Sequence, residues 1–264
     1  MAMTETETRS EESRMTLMEH LTELRRRLII SFIAIAIGAV IGWIFYTNIT
    51  DVLIDPYCDV VADDSSIIPE DEQCQLYARS PLEFFNIKLT VAGYTGLILA
   101  MPVILWQMWR FVAPGLYSHE KRYAYPFIGS AVGLFALGAG LAYWSVPKAL
   151  NWLIDQGGDN FQELFAPSEY FGFIIKMMLA FGIGFEFPIA LIFLQLLGVV
   201  QNETLRNGRQ YAIVGIVAMV AIITPSGDPF TLAVLSVPMY LFYEIAILFG
   251  RIRIRRAKKA ADAA

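Results

Sequence analysis

Carboxylates that border or interrupt long apolar segments are the side chains of this sequence whose positions could support chemistry. Glu186 lies near the middle of the apolar stretch 170–200, beside Gly182, Gly184 and Pro188. A charge at the centre of a bilayer costs at least ~2.5–3.5 kcal/mol, so such residues usually face a polar cavity or are neutralised. The glycines and the proline predict a bent helix with backbone open to the interior. Glu186 is therefore either a functional group in a polar cavity or a protonated carboxyl hydrogen-bonded within a helix bundle.

Two further carboxylates lie just outside apolar segments, in basic surroundings. Glu23 precedes Arg27 by four residues, which is the spacing of an ordinary ion pair on one helix face. Glu120 lies between Arg110 and Arg122, where a solvated salt bridge is the simplest interpretation. Both acids are predicted to lie at the cytoplasmic membrane surface. Two fixed carboxylates there could instead bind the guanidinium groups of a ligand in bidentate fashion.

Asp228 and both cysteines fall in predicted outer loops. Asp228 follows the residues Thr-Pro-Ser-Gly in a tight turn between two apolar segments, where it could act simply as the N-cap of the next helix. Cys58 and Cys74 are the only cysteines, and an oxidising exterior would permit a disulfide that closes a 17-residue loop. Two free thiols are the alternative. His20 and His119 are too distant from the cysteines to predict a metal site.

The motifs of several enzyme classes are absent. The sequence contains no GxxxxGK[ST] phosphate loop, no HExxH, no GxSxG and no CxxC. We therefore predict that the chain is not an enzyme, binds no cofactor or metal, and has no nucleic-acid partner.

The elements that position these acids are predicted to be transmembrane helices, in an all-α polytopic membrane protein. Hydrophobic residues make up 56% of the 264 positions and charged residues only 17%, against about 25% charged in soluble domains. The apolar residues come in blocks near the bilayer length of about twenty residues. The predicted spans are residues 28–46, 84–109, 125–146, 170–200, 211–223 and 230–249. We expect a disordered tail at 1–14, a membrane domain at 15–250 and a basic tail at 251–264.

The fifth block is shorter than an ordinary span. Its thirteen residues, 211–223, reach only ~20 Å as a helix. Basic residues before it and after the sixth block predict that the pair leaves one membrane side and returns to it. The pair is either a short spanning hairpin in thinned lipid or a re-entrant hairpin. The loop 47–81 is predicted to form a structured cap whose elements the sequence does not assign.

Charges predict the orientation. Sixteen of the 20 Lys and Arg residues fall in the N-terminal tail, the connections 110–122 and 206–209, and the C-terminal tail. The other loops are acidic. By the positive-inside rule, both termini are cytoplasmic and the chain is a multi-pass protein of the inner membrane.

Four stretches together resemble the TatC family, the multispanning receptor subunit of the twin-arginine translocase. They are residues 20–27 (His-Leu-Thr-Glu-Leu-Arg-Arg-Arg), 111–122 (Phe-Val-Ala-Pro-Gly-Leu-Tyr-Ser-His-Glu-Lys-Arg), 185–188 (Phe-Glu-Phe-Pro), and 224–228 (Thr-Pro-Ser-Gly-Asp) followed by 238–240 (Pro-Met-Tyr) and Glu244. Their order and spacing match the family from about residue 15 to residue 250. Each motif alone is weak, but the four in these positions are specific.

The resemblance implies a receptor that binds twin-arginine signal peptides and exports folded proteins across the cytoplasmic membrane with the proton-motive force. It assigns the binding of the signal arginines to Glu23 and Glu120. The surrounding recognition motif corresponds to Leu21, Arg25, Phe111, Pro114, Leu116 and Tyr117. The family's intramembrane glutamate corresponds to Glu186, and its outer-turn aspartate corresponds to Asp228.

The resemblance also implies a concave, glove-like arrangement of six spans with short fifth and sixth spans. Implied partners are the single-span proteins TatA and TatB, twin-arginine precursors, membrane lipid and further copies of the chain. A proton-coupled small-solute transporter with Glu186 as proton carrier is the alternative, although no internal repeat typical of such transporters is found.

Overall fold

The computed structural model describes residues 17–63, 76, 78–112, 124–156, 166–196 and 198–262. All regular structure in these ranges is helical. The helices are α1 (Leu17–Ile44), α2 (Tyr46–Asp63), α3 (Pro81–Val112), α4 (Ala124–Asp155), α5 (Pro167–Phe185), α6 (Phe187–Leu196), α7 (Asn202–Asn207), α8 (Arg209–Ile223) and α9 (Pro229–Asp262).

Five helical segments within the described residues are long and apolar enough to cross a membrane. They are Met18–Ile44, Pro81–Phe111, Ile128–Asp155, Pro167–Leu196 and Pro229–Arg256. The fifth predicted span corresponds to α8, whose 15 residues reach only ~22 Å. A fold of six spans with a short fifth one therefore agrees with the helices observed.

The sixth predicted span belongs to a much longer helix than expected. Residues 230–249 lie inside α9, which has 34 residues and continues to Asp262. Residues 251–262 contain neither glycine nor proline and are rich in Arg, Lys and Ala, which are good helix formers. The helix therefore does not end where the apolar sequence ends, and of the last two spans only the fifth is short as a helix.

The fourth predicted span is interrupted at Glu186, between α5 and α6. The Glu186 amide donates to the carbonyl of Ile183 at 3.0 Å, one residue nearer than in an α-helix. The normal pattern resumes at Ala190, whose amide donates to the Glu186 carbonyl at 3.1 Å. Pro188 has no N–H to continue the ladder across this point. The helical hydrogen-bond pattern is therefore interrupted at the point where the glycines and the proline predicted a bend.

The first and second spans pack against each other through glycine. A Cβ atom on Gly96 of α3 would lie 2.5 Å from the carbonyl oxygen of Ile35 and 2.6 Å from the amide nitrogen of Ala39, both in α1. A Cβ atom on Gly38 would lie 2.8 Å from the Gly96 carbonyl oxygen. Small residues let two membrane helices approach to backbone contact. Through this contact α3 holds α1, which carries Glu23.

Helix α2 is the element that the sequence did not assign. Its Leu53, Tyr57 and Val60 are buried in a cluster with side chains of α3, α4 and α5. The Tyr170 hydroxyl donates to the Leu53 carbonyl at 2.6 Å, and the Tyr143 hydroxyl donates to the Val52 carbonyl at 2.8 Å. Burial raises the pKa of Tyr57. The described first part of the loop, residues 47–63, is thus a helix docked on the spans, which agrees with a structured cap, and most of the remaining loop lies outside the described residues.

One end of the molecule lies opposite α2, where α1 begins and α3 and α6 end. We call it the basic end because the arginines of α1, α3, α7 and α9 lie there. The principal helix contacts run from α1 to α3, between α4 and α5, from α3 to α4 and α5, from α2 to α4, and from α4, α5 and α6 to α9. Helix α1 packs mainly on α3, and α8 packs mainly on α9.

Candidate functional site

Glu23 lies on α1 at the basic end and is paired as the spacing predicts. The Arg27 guanidinium donates to Glu23 Oε1 from Nε at 3.1 Å and also from Nη2. Arg27 Nη1 donates to the side-chain oxygen of Gln107 on α3, at 3.4 Å. The side chains of Arg27 and Glu23 are only 12% and 22% exposed. The pair is therefore a half-buried bridge between α1 and α3 rather than a solvated surface pair.

The second carboxylate oxygen of Glu23 is different. Glu23 Oε2 is buried and has no hydrogen-bond partner among the described residues. It belongs to a pocket of about 170 Å³, called here the Glu23 pocket, whose lining is mostly basic or polar: Glu23, Arg26, Arg27, Ile30, Gln107 and Arg110. Buried carboxylate oxygens are normally hydrogen-bonded. One oxygen of this acid thus holds a guanidinium while the other lacks a donor among the described residues.

The connection between α3 and α4 carries the second predicted acid. Glu120, Pro114, Leu116 and Tyr117 lie outside the described residues. Phe111 is the last described side chain before them, and its ring centroid lies 4.5 Å from that of His20 on α1. Leu21 and Arg25 are exposed on α1. The start of α1 and the end of α3 are thus brought together.

Sequence reasoning missed two residues here, His20 and Gln107. Gln107 is a polar residue within an apolar stretch, and that signal could have marked it as a partner for a charged group. His20 was named in the motif at residues 20–27 and excluded as a metal ligand, but no contact was predicted for it; its observed contact is with an aromatic ring.

Glu186 faces a second pocket, of about 280 Å³, called here the Glu186 pocket. Its other lining residues are apolar or aromatic: Leu105, Met108, Trp109, Ile128, Ala131, Ile189, Ala190, Phe193 and Leu194. Glu186 Oε1 is buried without a partner among the described residues. The sequence left two alternatives, a polar cavity or a carboxyl hydrogen-bonded within the bundle. The pocket is apolar rather than polar, so the first alternative was wrong, and no hydrogen bond to Oε1 is seen among the described residues. The carboxyl is the one ionisable group among the described lining residues, because the helix faces around it are built from aliphatic and aromatic side chains.

The last turns of α3 separate the two pockets. Gln107 and Arg110 are three residues apart and share the face towards α1, while Leu105, Met108 and Trp109 lie on the face towards α4 and α6. One short helical segment therefore contributes to both the Glu23 pocket and the Glu186 pocket.

Asp228 caps a helix. It is fully buried, and its Oδ1 accepts from the Thr231 amide at 2.7 Å, while its Oδ2 accepts from the Thr231 hydroxyl. Pro229 is the first residue of α9, so Asp228 has the position and the hydrogen bond of an N-cap. Gly227 before it has a φ of 58°, which a turn there requires.

Glu244 of α9 pairs with the start of α8. Its Oε2 accepts from Arg209 at 2.7 Å, and its Oε1 accepts from the Tyr240 hydroxyl at 3.2 Å. Arg209 begins α8, so the ion pair joins the short helix to α9. The hairpin geometry brings Arg209 closer to Glu244 than the tail residues, which point onward along α9.

Cys58 lies in α2 and is disulfide-bonded. Cys74 lies outside the described residues. Lys88 of α3 lies 4.5 Å from the centre of the Trp43 ring and 5.5 Å from that of Tyr46, a cation–π arrangement that accommodates a charge near a span end.

Comparison with known proteins identifies the family. The TatC family model, described as "Sec-independent protein translocase protein (TatC)", matches residues 19–238. A protein of that name from Aquifex aeolicus is 41% identical over 255 residues, which cover 94% of this chain and 100% of the relative. Another from Frankia casuarinae is 37% identical over 255 residues, covering 96% of this chain and 70% of the relative.

A solved structure gives the same result. The crystal structure titled "Twin Arginine Translocase Receptor- TatC in DDM" superposes with a TM-score of 0.71 at 39% identity, covering 88% of this chain and 99% of that one. The chain is a multi-pass membrane protein and a non-enzymatic component of the Tat translocase, and it belongs to the TatC family of Sec-independent protein translocase proteins.

Proposed function

We propose that this chain is the receptor and core of a twin-arginine translocase, which binds the signal peptides of folded precursors and exports them with the proton-motive force. The observation that carries this proposal is the carboxylate of Glu23, which holds one guanidinium on Oε1 and keeps Oε2 buried without a partner beside a pocket.

Arg27 supports the proposal because it is a guanidinium already seated on this acid. Its Nε and Nη2 both donate to Glu23 Oε1. A buried acceptor without a donor costs about 1–3 kcal/mol, and more when the group is charged. A signal arginine that donates to Oε2 would remove that cost, so the acid is suited to a second guanidinium.

The described charges in the Glu23 pocket would repel an incoming cation, so a second acid is needed to bind it. The described lining contains one carboxylate against three guanidinium groups, those of Arg26, Arg27 and Arg110. We therefore assign the second acid to Glu120, eight residues after the end of α3, with Leu21, Arg25, Phe111, Pro114, Leu116 and Tyr117 as the surrounding recognition surface. Gln107 holds Arg27 on Oε1 while the signal arginine donates to Oε2, since Gln107 and Arg27 already interact.

The Glu186 pocket is assigned to an apolar helix, either the hydrophobic part of the signal peptide or the single span of a partner. Its apolar lining matches such a ligand, and the unpaired oxygen of Glu186 offers it one polar contact. TatA and TatB are the single-span partners we propose, together with further copies of this chain.

The chain is assigned to the inner membrane, with both termini in the cytoplasm. The support is the sorting of 16 of the 20 Lys and Arg residues to the two tails and two connections on one side. The transporter alternative has no support in the matched relatives, which are named as translocase proteins.

Photo-cross-linking tests the receptor function. A photo-reactive residue next to Glu120 should cross-link to a precursor with a twin-arginine signal, and a twin-lysine signal should reduce the yield because lysine lacks the bidentate fork. Glu23→Ala and Glu120→Ala should each weaken the cross-link and together abolish it. Glu19→Ala is the matched control, an exposed acid one helical turn before Glu23. Undiminished cross-linking in the double variant would contradict the roles of both acids.

A further inference from the structure

A third pocket, of about 430 Å³, lies apart from both acids at the basic end. It is enclosed by the end of α6, the turn 198–201, the start of α7 and one face of α9. We call it the α7–α9 pocket. The receptor function assigned above does not use it.

The α7–α9 pocket lies where the apolar part of α9 changes to a basic one. The apolar sequence of α9 ends at Phe249 and Gly250, and arginines at 251, 253, 255 and 256 follow. Phe249 and Ile254 line the pocket and are 40% and 57% exposed, so apolar and basic side chains meet here. That combination is typical of the membrane–water interface, where arginine stems lie along apolar surface and their charged ends reach water.

The floor of the pocket is built from two side-chain amides. Gln195 Nε2 donates to the Ala246 carbonyl at 3.0 Å, and Asn202 Nδ2 donates to the Ile247 carbonyl at 2.8 Å. The two amides also approach each other at 3.4 Å. A Cβ atom on Gly250 would lie 2.2 Å from both, so the glycine makes room for them. The pocket is therefore preorganised by contacts between α6, α7 and α9.

The walls carry one charge of each sign. Arg253 of α9 donates from Nη1 to the Gln195 carbonyl at 3.4 Å, which holds its guanidinium over the pocket. Glu203, in the first turn of α7, also lines the pocket and is exposed. An anionic headgroup would meet the repulsion of Glu203. A headgroup with both a phosphate and an ammonium group would match both walls.

We propose that the α7–α9 pocket binds an aminophospholipid of the phosphatidylethanolamine type. Arg253 binds the phosphate, Glu203 binds the ammonium group, and Phe249 and Ile254 contact the glycerol and the first methylene groups. A bound lipid would fill the space between the short hairpin α8–α9 and the α6–α7 turn at the membrane surface.

Native mass spectrometry of the purified full chain in detergent tests the proposal. Phosphatidylethanolamine, phosphatidylglycerol and phosphatidylcholine with the same acyl chains are added separately, and the bound fraction is measured. We expect phosphatidylethanolamine to bind best. Arg253→Gln and Glu203→Gln should each weaken it about tenfold, the usual size of one charge-assisted hydrogen bond. Arg255→Gln is the matched control, because Arg255 is exposed on the same helix and does not line the pocket.

Each other outcome overturns the proposal in a defined way. Preferred binding of phosphatidylglycerol, strengthened by Glu203→Gln, would make this an anionic-lipid site. Equal loss in Arg253→Gln and Arg255→Gln would reduce it to general attraction by the basic tail. Displacement of the lipid by inorganic phosphate would make it a phosphate site. Cross-linking to a twin-arginine precursor should be unchanged in Glu203→Gln, so this proposal and the receptor function fail independently.

Discussion

Gly96→Ala should separate α1 from α3 and thereby weaken both the fold and the Glu23 site. The new Cβ would lie 2.5 Å from the Ile35 carbonyl oxygen, 0.9 Å short of the 3.4 Å at which ordinary contact begins. The atoms it meets belong to the backbone of α1, so no side chain can rotate away. The two helices must move apart along a contact that also aligns Arg27 with Gln107.

The magnitude follows from a comparison within α3. Gly93 is one turn earlier on the same helix, and a Cβ atom there would meet nothing within 4 Å. Alanine in place of glycine favours a helix by about 1 kcal/mol at either position. Overpacking costs about 1–3 kcal/mol, and that cost applies only at Gly96. The difference between the two variants therefore isolates the clash.

Thermal unfolding in detergent measures this difference. At roughly 2–4 °C per kcal/mol, Gly96→Ala should unfold about 2–12 °C below Gly93→Ala. Gly96→Ala should also lower cross-linking to a twin-arginine precursor, whereas Gly93→Ala should leave it at the wild-type level. Equal transition temperatures for the two variants would refute the close backbone contact and the alignment inferred from it.

Three further substitutions test the other contacts. Asp228→Ala should destabilise the chain by about 0.5–2 kcal/mol because it removes the cap of α9, whereas Asp228→Asn should recover most of that loss. Thermal unfolding measures both variants, and equal transition temperatures would contradict the capping role. Glu83→Ala should lower the transition temperature more than Glu169→Ala, because Glu83 accepts from the Ser168 amide at 3.1 Å and from its hydroxyl at 2.6 Å. Glu169 makes only an exposed 3.7 Å ion pair, so equal shifts would refute the bridge that Glu83 forms between α3 and α5. Glu186→Gln should retain export and partner cross-linking while Glu186→Ala loses them, and wild-type behaviour of both would leave Glu186 a structural residue.

Arg27 gives the Glu23 pocket a feature that a bare carboxylate would lack. The acid is occupied on one oxygen by a guanidinium of the chain itself, at a half-buried position. A ligand that binds to this acid must therefore donate more hydrogen bonds than Arg27 alone does. Otherwise a second acid must bind a second arginine of the ligand. Two consecutive arginines meet both conditions, which is a physical reason for a paired motif in the signal.

The sequence by itself determined the features that depend on neighbours along the chain. Apolar blocks of bilayer length marked the spans because a lipid environment selects apolar side chains locally. The interruption of the helix at Glu186 followed from Pro188 and nearby glycines, and the ion pair of Glu23 with Arg27 followed from their spacing on one helix. The acids of the candidate site were found in the same way.

Only the tertiary structure decided the features that join distant residues. Gln107 contacts Arg27 across 80 positions, and Glu83 contacts Ser168 across 85. Such contacts depend on the rotation and depth at which two helices pack, which the backbone contact at Gly96 sets for α1 and α3. The apolar character of the Glu186 pocket was mispredicted for the same reason, because its lining comes from three helices whose facing sides no single stretch of sequence specifies.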